Sequence, residues 1–263
     1  MQRNKSNKII ILVLSVIVAI ETILLVSFWI RWPRKVVKVP MPVIKGKIAI
    51  VIDDWGYNLN NLGILEQLKY PLTMAVLPNL SYSQARAREL NRRGYELILH
   101  LPMEPKEKTR LEKNTITTSM DEPTILRIIA QDLKNIPDIK GVSNHMGSKV
   151  TRDKRIMAIV FKELKKRGLY FLDSFVIPES ICADLADKMQ IPFAERDIFL
   201  DTKKKEYEYI KKQVSKLKAK ANLEGQAIGI GHDHKVTLEV LAELMPEIEK
   251  EGYKFVFVSE LVR

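Results

Sequence analysis

The sequence predicts an α/β protein: a parallel sheet or barrel in one domain, preceded by a single apolar helix. Three observations carry this. From Gly46 to the end, short apolar runs alternate with helix-periodic segments, the pattern of a parallel α/β sheet. The first run, Ile48 to Ile52, is apolar without a break, as in a strand buried on both faces. Ahead of it, Ile9 to Ile30 carries only Ser15, Glu21, Thr22 and Ser27 as polar residues, long enough for a bilayer that needs roughly 20.

Taken in order, residues 1–8 form a basic N-terminal tail with Arg3, Lys5 and Lys8. Residues 9–30 read as an uncleaved transmembrane signal anchor, because VSFWIRW at its end lacks a small-residue cleavage site. Trp29 and Trp32 suit a membrane interface, while positive charges on both flanks leave orientation to the long C-terminal domain, which can cross regardless. Residues 31–45, with Pro40 and Pro42, read as an extended linker.

The domain spans residues 46–263. Its first strand, in KIAIVIDDWGY, ends in Asp53 and Asp54. A helix is expected over Leu59 to Leu68, a strand over Leu72 to Leu77, and a helix from Ser81 to Arg93 stopped by Gly94. Tyr95 to Leu101 is a third strand, exiting through HLPMEP. Asp121 caps a helix reaching Asn135, and Pro123 sits in its first turn. Gly141 to Val150 gives a short strand and its exit loop, Lys154 to Arg167 a helix closed by Gly168, and Leu169 to Val176 another strand. Ile181 to Met189 is a short helix, and a strand lies within Ile191 to Leu200. A charged helix follows from about Lys204 to Ala221, then the strand Gln226 to Gly231, a helix from Thr237 to Lys250 and a last strand, Tyr253 to Val258.

Composition narrows the function classes. Of 263 residues, 46% are hydrophobic, enough for a sizeable core. Lys plus Arg number 43 against 32 Asp plus Glu, a net charge of +11. That excess suits an anionic surface or polymer. It is spread over helix faces with no aromatic-interleaved basic motif, so no nucleic-acid partner is expected. Cys182 is the one cysteine, which excludes an intrachain disulfide.

The titratable residues are not scattered. All four histidines follow apolar strand-like runs: His100 after ELIL, His145 after GVSN, His232 and His234 after AIGIG. Asp53, Asp54 and Asp173 have the same placement. Parallel strands deliver their C-terminal ends to one face, so these groups converge on one mouth. Imidazoles with a carboxylate suit a divalent ion of borderline softness, zinc being the usual one, with a position open for water. His232-x-His234 is an alternative metal pair, since alternate residues of an extended segment share a face.

Together IDDWG at Ile52 to Gly56, HLPMEP at His100 to Pro105, NHMGS at Asn144 to Ser148, LDS at Leu172 to Ser174 and GIGHDH at Gly229 to His234 resemble the divergent polysaccharide deacetylases, distant relatives of metal-dependent chitin and peptidoglycan deacetylases. The resemblance implies a distorted (β/α) barrel of about seven parallel strands. It implies Asp53 as catalytic base and His232 as acid, with Asp54 and His100 on the metal. His145 is the third ligand by placement. Asp173 is expected to orient His232 or the substrate. Glu104, Asn144, Ser148 and His234 are candidate substrate-binding residues. Two parts of the family pattern are absent: a second metal histidine about four residues from His100, and the arginine-proline-aromatic substrate motif.

The function expected is a membrane-anchored, metal-dependent hydrolase that removes acetyl groups from an envelope polysaccharide, its domain outside the cytoplasm. The alternatives are a non-catalytic glycan-binding or scaffold protein that keeps the site, and another metallohydrolase such as an amidase.

Overall fold

A computed structural model describes residues 2–31, 44–202 and 206–263. The chain divides into two compact units, Met1–Pro42 and Val43–Arg263. The first contains α1 (Gln2–Arg31). The helix already begins at Gln2, so residues 2–8 continue it instead of forming a separate tail. Its segment Ile10–Ile30 has a mean hydropathy of 2.8 and is long and apolar enough to cross a membrane. Inside it the hydroxyls of Ser15 and Thr22 bond to the carbonyls of Ile11 and Val18, at 2.9 and 2.6 Å. Side-chain polar groups that bond back to the preceding turn need no outside partner. Most of the predicted linker, from residue 32 to 43, lies outside the described residues.

Among its described residues the second unit has nine strands: β1 (Gly46–Trp55), β2 (Thr73–Val76), β3 (Glu96–Met103), β4 (Gly141–Met146), β5 (Tyr170–Asp173), β6 (Phe193–Glu195), β7 (Ile198–Phe199), β8 (Gln226–His232) and β9 (Tyr253–Val256). All pair in parallel, in the order β6-β5-β4-β3-β2-β1-β8-β7, with β9 along the start of β1. The helices are α2 (Leu62–Leu65), α3 (Ser83–Arg92), α4 (Glu122–Asn135), α5 (Lys154–Arg167), α6 (Cys182–Met189), α7 (Tyr207–Glu224) and α8 (Lys235–Lys250).

The sheet curls into an incompletely closed barrel. β1 shows why its sequence is apolar throughout. Ile48, Ile50 and Ile52 join the core under the helices, whereas Ala49 and Val51 join a second core with Ala75, Ile98, Leu172, Ile228 and Ile230. Alternate residues thus fill both faces of one strand. β6 and β7 share no pairing, and the seam beside them is narrowed by the C-terminus, where Phe193 and Arg263 exchange two backbone hydrogen bonds of 2.9 and 3.1 Å.

Two helix ends match the sequence reading, those at Asp121 and Gly168, and Asp153 adds a further cap. Asp121 accepts from Thr124 N and Asp153 from Ile156 N, each at 3.0 Å, and Gly168 closes α5 in the left-handed region at φ 66°. Three elements differ. The helix expected over Leu59 to Leu68 shrinks to the single turn of α2, because Asn58 Oδ1 accepts from Asn60 N and Asn61 turns left-handed at φ 68°. Asparagines that bond their own backbone compete with a helix. The strand expected within Ile191 to Leu200 is two, β6 and β7, parted at Arg196–Asp197, where Arg196 N bonds back to Asp173 O at 3.0 Å. The charged helix runs on past Ala221 to Glu224, until Gly225 turns it off at φ 79°.

Candidate active site

The site forms where β1, β3, β4 and β8 end. Asp53 and Asp54 are neighbours, and on a regular strand they would face opposite ways. Here the pairing of β1 with β2 slips between Ile52 and Trp55, and Asp54 takes φ 66°. Such a bulge re-aims side chains, and aspartate tolerates the left-handed region better than most residues. Both carboxylates consequently face His100: Asp53 Oδ2 lies 3.5 Å and Asp54 Oδ1 3.4 Å from its Nε2. β3 runs on to Met103, so His100 sits inside the strand and is buried. His145, near the end of β4, brings Nδ1 to 3.1 Å from the same Asp54 oxygen. The two imidazoles meet edge to face, with ring centres 5.0 Å apart.

Asp54, His100 and His145 each offer a ligand atom within 4.8 Å of the others. His100 Nδ1 lies 2.7 Å from Ser143 Oγ, which leaves Nε2 for the site. His145 Nε2 is buried with no hydrogen-bond partner among the described residues. Buried polar atoms are normally satisfied. One carboxylate and two imidazoles also form a donor set for a borderline divalent ion with an open coordination position. The residues present therefore fit a metal. Burial opposes charge on Asp54, yet hydrogen bonding and the fields of His100 and His145 hold its carboxyl well below the usual range. On Asp53 burial wins and raises the pKa, against the pull of His100 and His232.

His232 comes from the neighbouring strand, in register with Asp53. Its Nδ1 donates to Asp201 Oδ1 at 2.7 Å, and its backbone N to Asp201 Oδ2 at 2.9 Å. Thr237 Oγ1 adds a third donor to that carboxylate at 2.6 Å. Burial disfavours a charged imidazole, but the bond to Asp201 and the fields of Asp53, Asp201 and Asp54 outweigh it, raising the pKa to about 9. Gly231 makes the approach possible: a Cβ there would stand 2.8 Å from Thr237 Cγ2.

The predicted partner of His232 is thereby corrected. Asp173 is buried, its oxygens accepting from Ser180 Oγ at 2.6 Å and Phe175 N at 2.8 Å, and His232 bonds to Asp201 instead. Asp201 takes the role because it follows β7, the strand hydrogen-bonded to β8. Its signal was available, since Asp201 follows Ile198 to Leu200 just as the other aspartates follow their runs. Arg196 carries no comparable signal in the sequence. Its guanidinium lies 3.7 Å over the Phe199 ring and donates to the carbonyls of Ser174 and Phe175.

Three of the candidate substrate residues fasten loops. Asn144 is buried, with Nδ2 donating to Met146 O and Oδ1 accepting from Ser174 N. Glu104 binds Thr118 and Lys149. Ser148 accepts from Lys106 N and donates to Glu107. His234, half-buried at the start of α8, stacks on His232 with ring centres 5.8 Å apart. It stands with Asp201 and His232 as a second trio of metal-capable residues, but there Nδ1 of His232 is committed to Asp201. Grooves of about 760 and 770 Å³ lie elsewhere, beside Pro192 and Arg263 and beside Leu68 and Tyr70, and neither is lined by histidine.

The chain is similar to known proteins at two levels, sequence and fold. In sequence, the chain is 36% identical over 204 residues to the uncharacterised protein YibQ of Escherichia coli K12, covering 78% of this chain and 64% of that one. It thus spans just under two thirds of that relative's length. In fold, it superposes on the crystal structure of an uncharacterised protein from Agrobacterium tumefaciens C58 with a TM-score of 0.76 at 23% identity, covering 82% of this chain and 89% of that one. It also superposes on the catalytic domain of peptidoglycan N-acetylglucosamine deacetylase from Eubacterium rectale, with a TM-score of 0.52 at 16% identity over 80% and 87%. The profile of one family, described as divergent polysaccharide deacetylase, matches residues 50–262, from the middle of β1 to the penultimate residue. The paired aspartates and the strand that delivers His232 both fall within that match, and the chain belongs to the divergent polysaccharide deacetylase family.

Proposed function

We propose that the protein is a metal-dependent deacetylase of an N-acetylated envelope polysaccharide, held to the membrane by the apolar helix and working outside the cytoplasm. One observation carries the reading: a carboxylate and an imidazole not needed as ligands, Asp53 and His232, stand in register on adjacent strands beside the trio Asp54, His100 and His145. A site that only bound a metal or a sugar has no use for a base and an acid so placed.

Asp54, His100 and His145 would hold the ion, for which zinc is the proposed identity. When bound, it would polarise the acetyl carbonyl and make water more acidic. Asp53 takes the proton of the attacking water as the new C–O bond forms. His232, kept protonated by Asp201, gives its proton to the leaving amine as the C–N bond breaks. The products are acetate and a free amino sugar. Ser143 fixes the tautomer of His100, as groups behind a metal-binding histidine commonly do. The family description and the activity of the Eubacterium rectale relative in fold favour an acetamido sugar of peptidoglycan type.

The test is acetate release from chitooligosaccharides and peptidoglycan fragments by the full-length protein in detergent, with and without a chelator. Release that the chelator abolishes and zinc restores supports the reading. Absence of acetate from every acetylated glycan, with glycan binding retained, overturns it in favour of a non-catalytic binding protein.

A further inference from the structure

β3 leaves the sheet through a long loop that the proposed reaction does not use. The ends of this loop meet: Glu104 N donates to Ile116 O and Ile116 N to Pro102 O, both at 2.9 Å. A surface loop closed at its base is an Ω-loop, a shape often used for binding. Two neighbouring strand exits hold it in place. Tyr57, after β1, donates its hydroxyl to Glu112 at 2.5 Å. Ser148, after β4, accepts from Lys106 N at 2.9 Å and donates to Glu107 at 3.2 Å. β1, β3 and β4 are the strands that supply Asp53, Asp54, His100 and His145, so the loop forms one rim of the same mouth. The Tyr57 hydroxyl feels the charges of both Asp54 and Arg110, which brings the loop's guanidinium into the neighbourhood of the candidate metal carboxylate.

The charges on this rim are sorted. Residues 106–113 carry four cations, Lys106, Lys108, Arg110 and Lys113, against two carboxylates, Glu107 and Glu112. Both carboxylates are held onto the strand exits by the bonds to Ser148 and Tyr57. All four cations are exposed, and none pairs with a carboxylate among the described residues. Lysines elsewhere do pair, as Lys149 with Glu104, Lys218 with Glu251 and Lys220 with Glu224, at 2.7 to 2.8 Å. The loop thus directs its acids inward and its cations outward.

Unpaired cations along the rim of a cleft raise the local concentration of anions and steer them inward. Four separate side chains along an exposed loop are not the converging donor set that cradles a single phosphate. They suit carboxylates spaced along a chain. We infer that the loop after β3 is a specificity element for acidic glycans: it selects polysaccharides whose sugars carry carboxylates beside the N-acetylated unit. The inference rests on the proposed function for the ligand's being a glycan, and the selection by charge goes beyond it.

The experiment is calorimetric titration of the full-length protein in detergent, carrying Asp53→Asn to prevent turnover. The probes are a peptide-free peptidoglycan tetrasaccharide, whose alternate sugars bear a lactyl carboxylate, and the same tetrasaccharide with those carboxylates amidated. At low salt the acidic probe is expected to bind about 10-fold or more tightly than the amidated one, the reach of several exposed ion pairs together. The preference should shrink at about 0.5 M salt, where screening is short-ranged. Lys108→Gln with Arg110→Gln should cut the preference about 3- to 10-fold and leave the amidated probe unchanged. Lys106→Gln with Lys113→Gln is an independent pair expected to act in the same direction. Lys162→Gln with Lys166→Gln, exposed in the C-terminal half of α5, should change nothing. Equal affinity for the two probes, or a preference that survives in both loop variants, overturns the inference. So does assignment of the loop to the membrane: nanodiscs of phosphatidylglycerol, but not of phosphatidylcholine, shielding Lys108 and Arg110 from trypsin while the probes bind alike. A loop-dependent preference without acetate release by the wild type would overturn the proposed function and leave the loop's role standing. Acetate release by the wild type with equal affinity for both probes would do the reverse.

Discussion

His232 Nδ1 lies 2.7 Å from Asp201 Oδ1, and this bond sets the protonation of the one histidine placed to act as an acid. Asp201→Asn should let the His232 pKa fall from about 9 toward an ordinary 6.5 or so. Its folded value is raised, so the pair stabilises fully below about pH 6.5, and that contribution is lost as pH rises through about 9. At about 1.4 kcal/mol per pKa unit the contribution is at most about 3.5 kcal/mol. Imidazole NMR on metal-free protein gives the pKa. Melts of wild type and Asp201→Asn should differ clearly at pH 6 and converge toward pH 10; a gap of equal size at both would exclude this account.

The metal trio makes a separate prediction. His100→Ala, His145→Ala and Asp54→Ala should each lower affinity for zinc at least about 10-fold, as losses around a metal typically do. Ser143→Ala, which removes only the group 2.7 Å behind His100, should cost less. Competition titration against a chromogenic chelator measures all four. Undiminished affinity in the His100 and His145 variants would move the ion to the alternative trio with Asp201 and His234.

Much of this was legible in the sequence, for a physical reason. In a parallel sheet every strand exit reaches one face, so an apolar run followed by His or Asp locates a site residue without knowledge of the topology. Asp53, Asp54, His100, His145 and His232 were found that way. Pairwise relations were not, because they depend on strand order. Asp173 and Asp201 carry the same signal, and only the pairing of β7 with β8 decides which one reaches His232. Arg86 was invisible for another reason. In SQARARELNR it reads as one more charge on a solvated helix, yet it is buried and donates to the carbonyls of Asn58 and Asn60 in the loop after β1.

Asp132, outside the site, tests how burial acts on a lone carboxyl. It lies in α4, buried, with Asn79 Nδ2 donating to Oδ1 at 2.6 Å and no partner for Oδ2 among the described residues. Burial outweighs donation from Asn79 and Asn114 and lifts its pKa to about 6. A raised carboxyl favours the fold below its unfolded value near 3.9 and loses that advantage as pH rises through about 6. Asp132→Asn should therefore stabilise the protein by about 1–3 kcal/mol at pH 7.5 and have little effect at pH 4. Thermal melts at the two pH values check the sign.

The apolar helix carries a topological prediction. With the domain outside the cytoplasm, protease added to intact spheroplasts should digest it while a cytoplasmic marker survives. Complete protection until the membrane is lysed would place the domain inside.

The most direct test of the central claim separates chemistry from metal binding at neighbouring residues. Asp53 and Asp54 both face His100 at nearly equal distance, 3.5 and 3.4 Å, yet the account gives them different tasks. In Asp53→Asn the purified protein should retain its zinc, while acetate release from an acetylated oligosaccharide falls by roughly 10²–10⁴, the usual contribution of a general base. Zinc retained with acetate release near the wild-type rate would contradict the assignment of Asp53, and with it the mechanism.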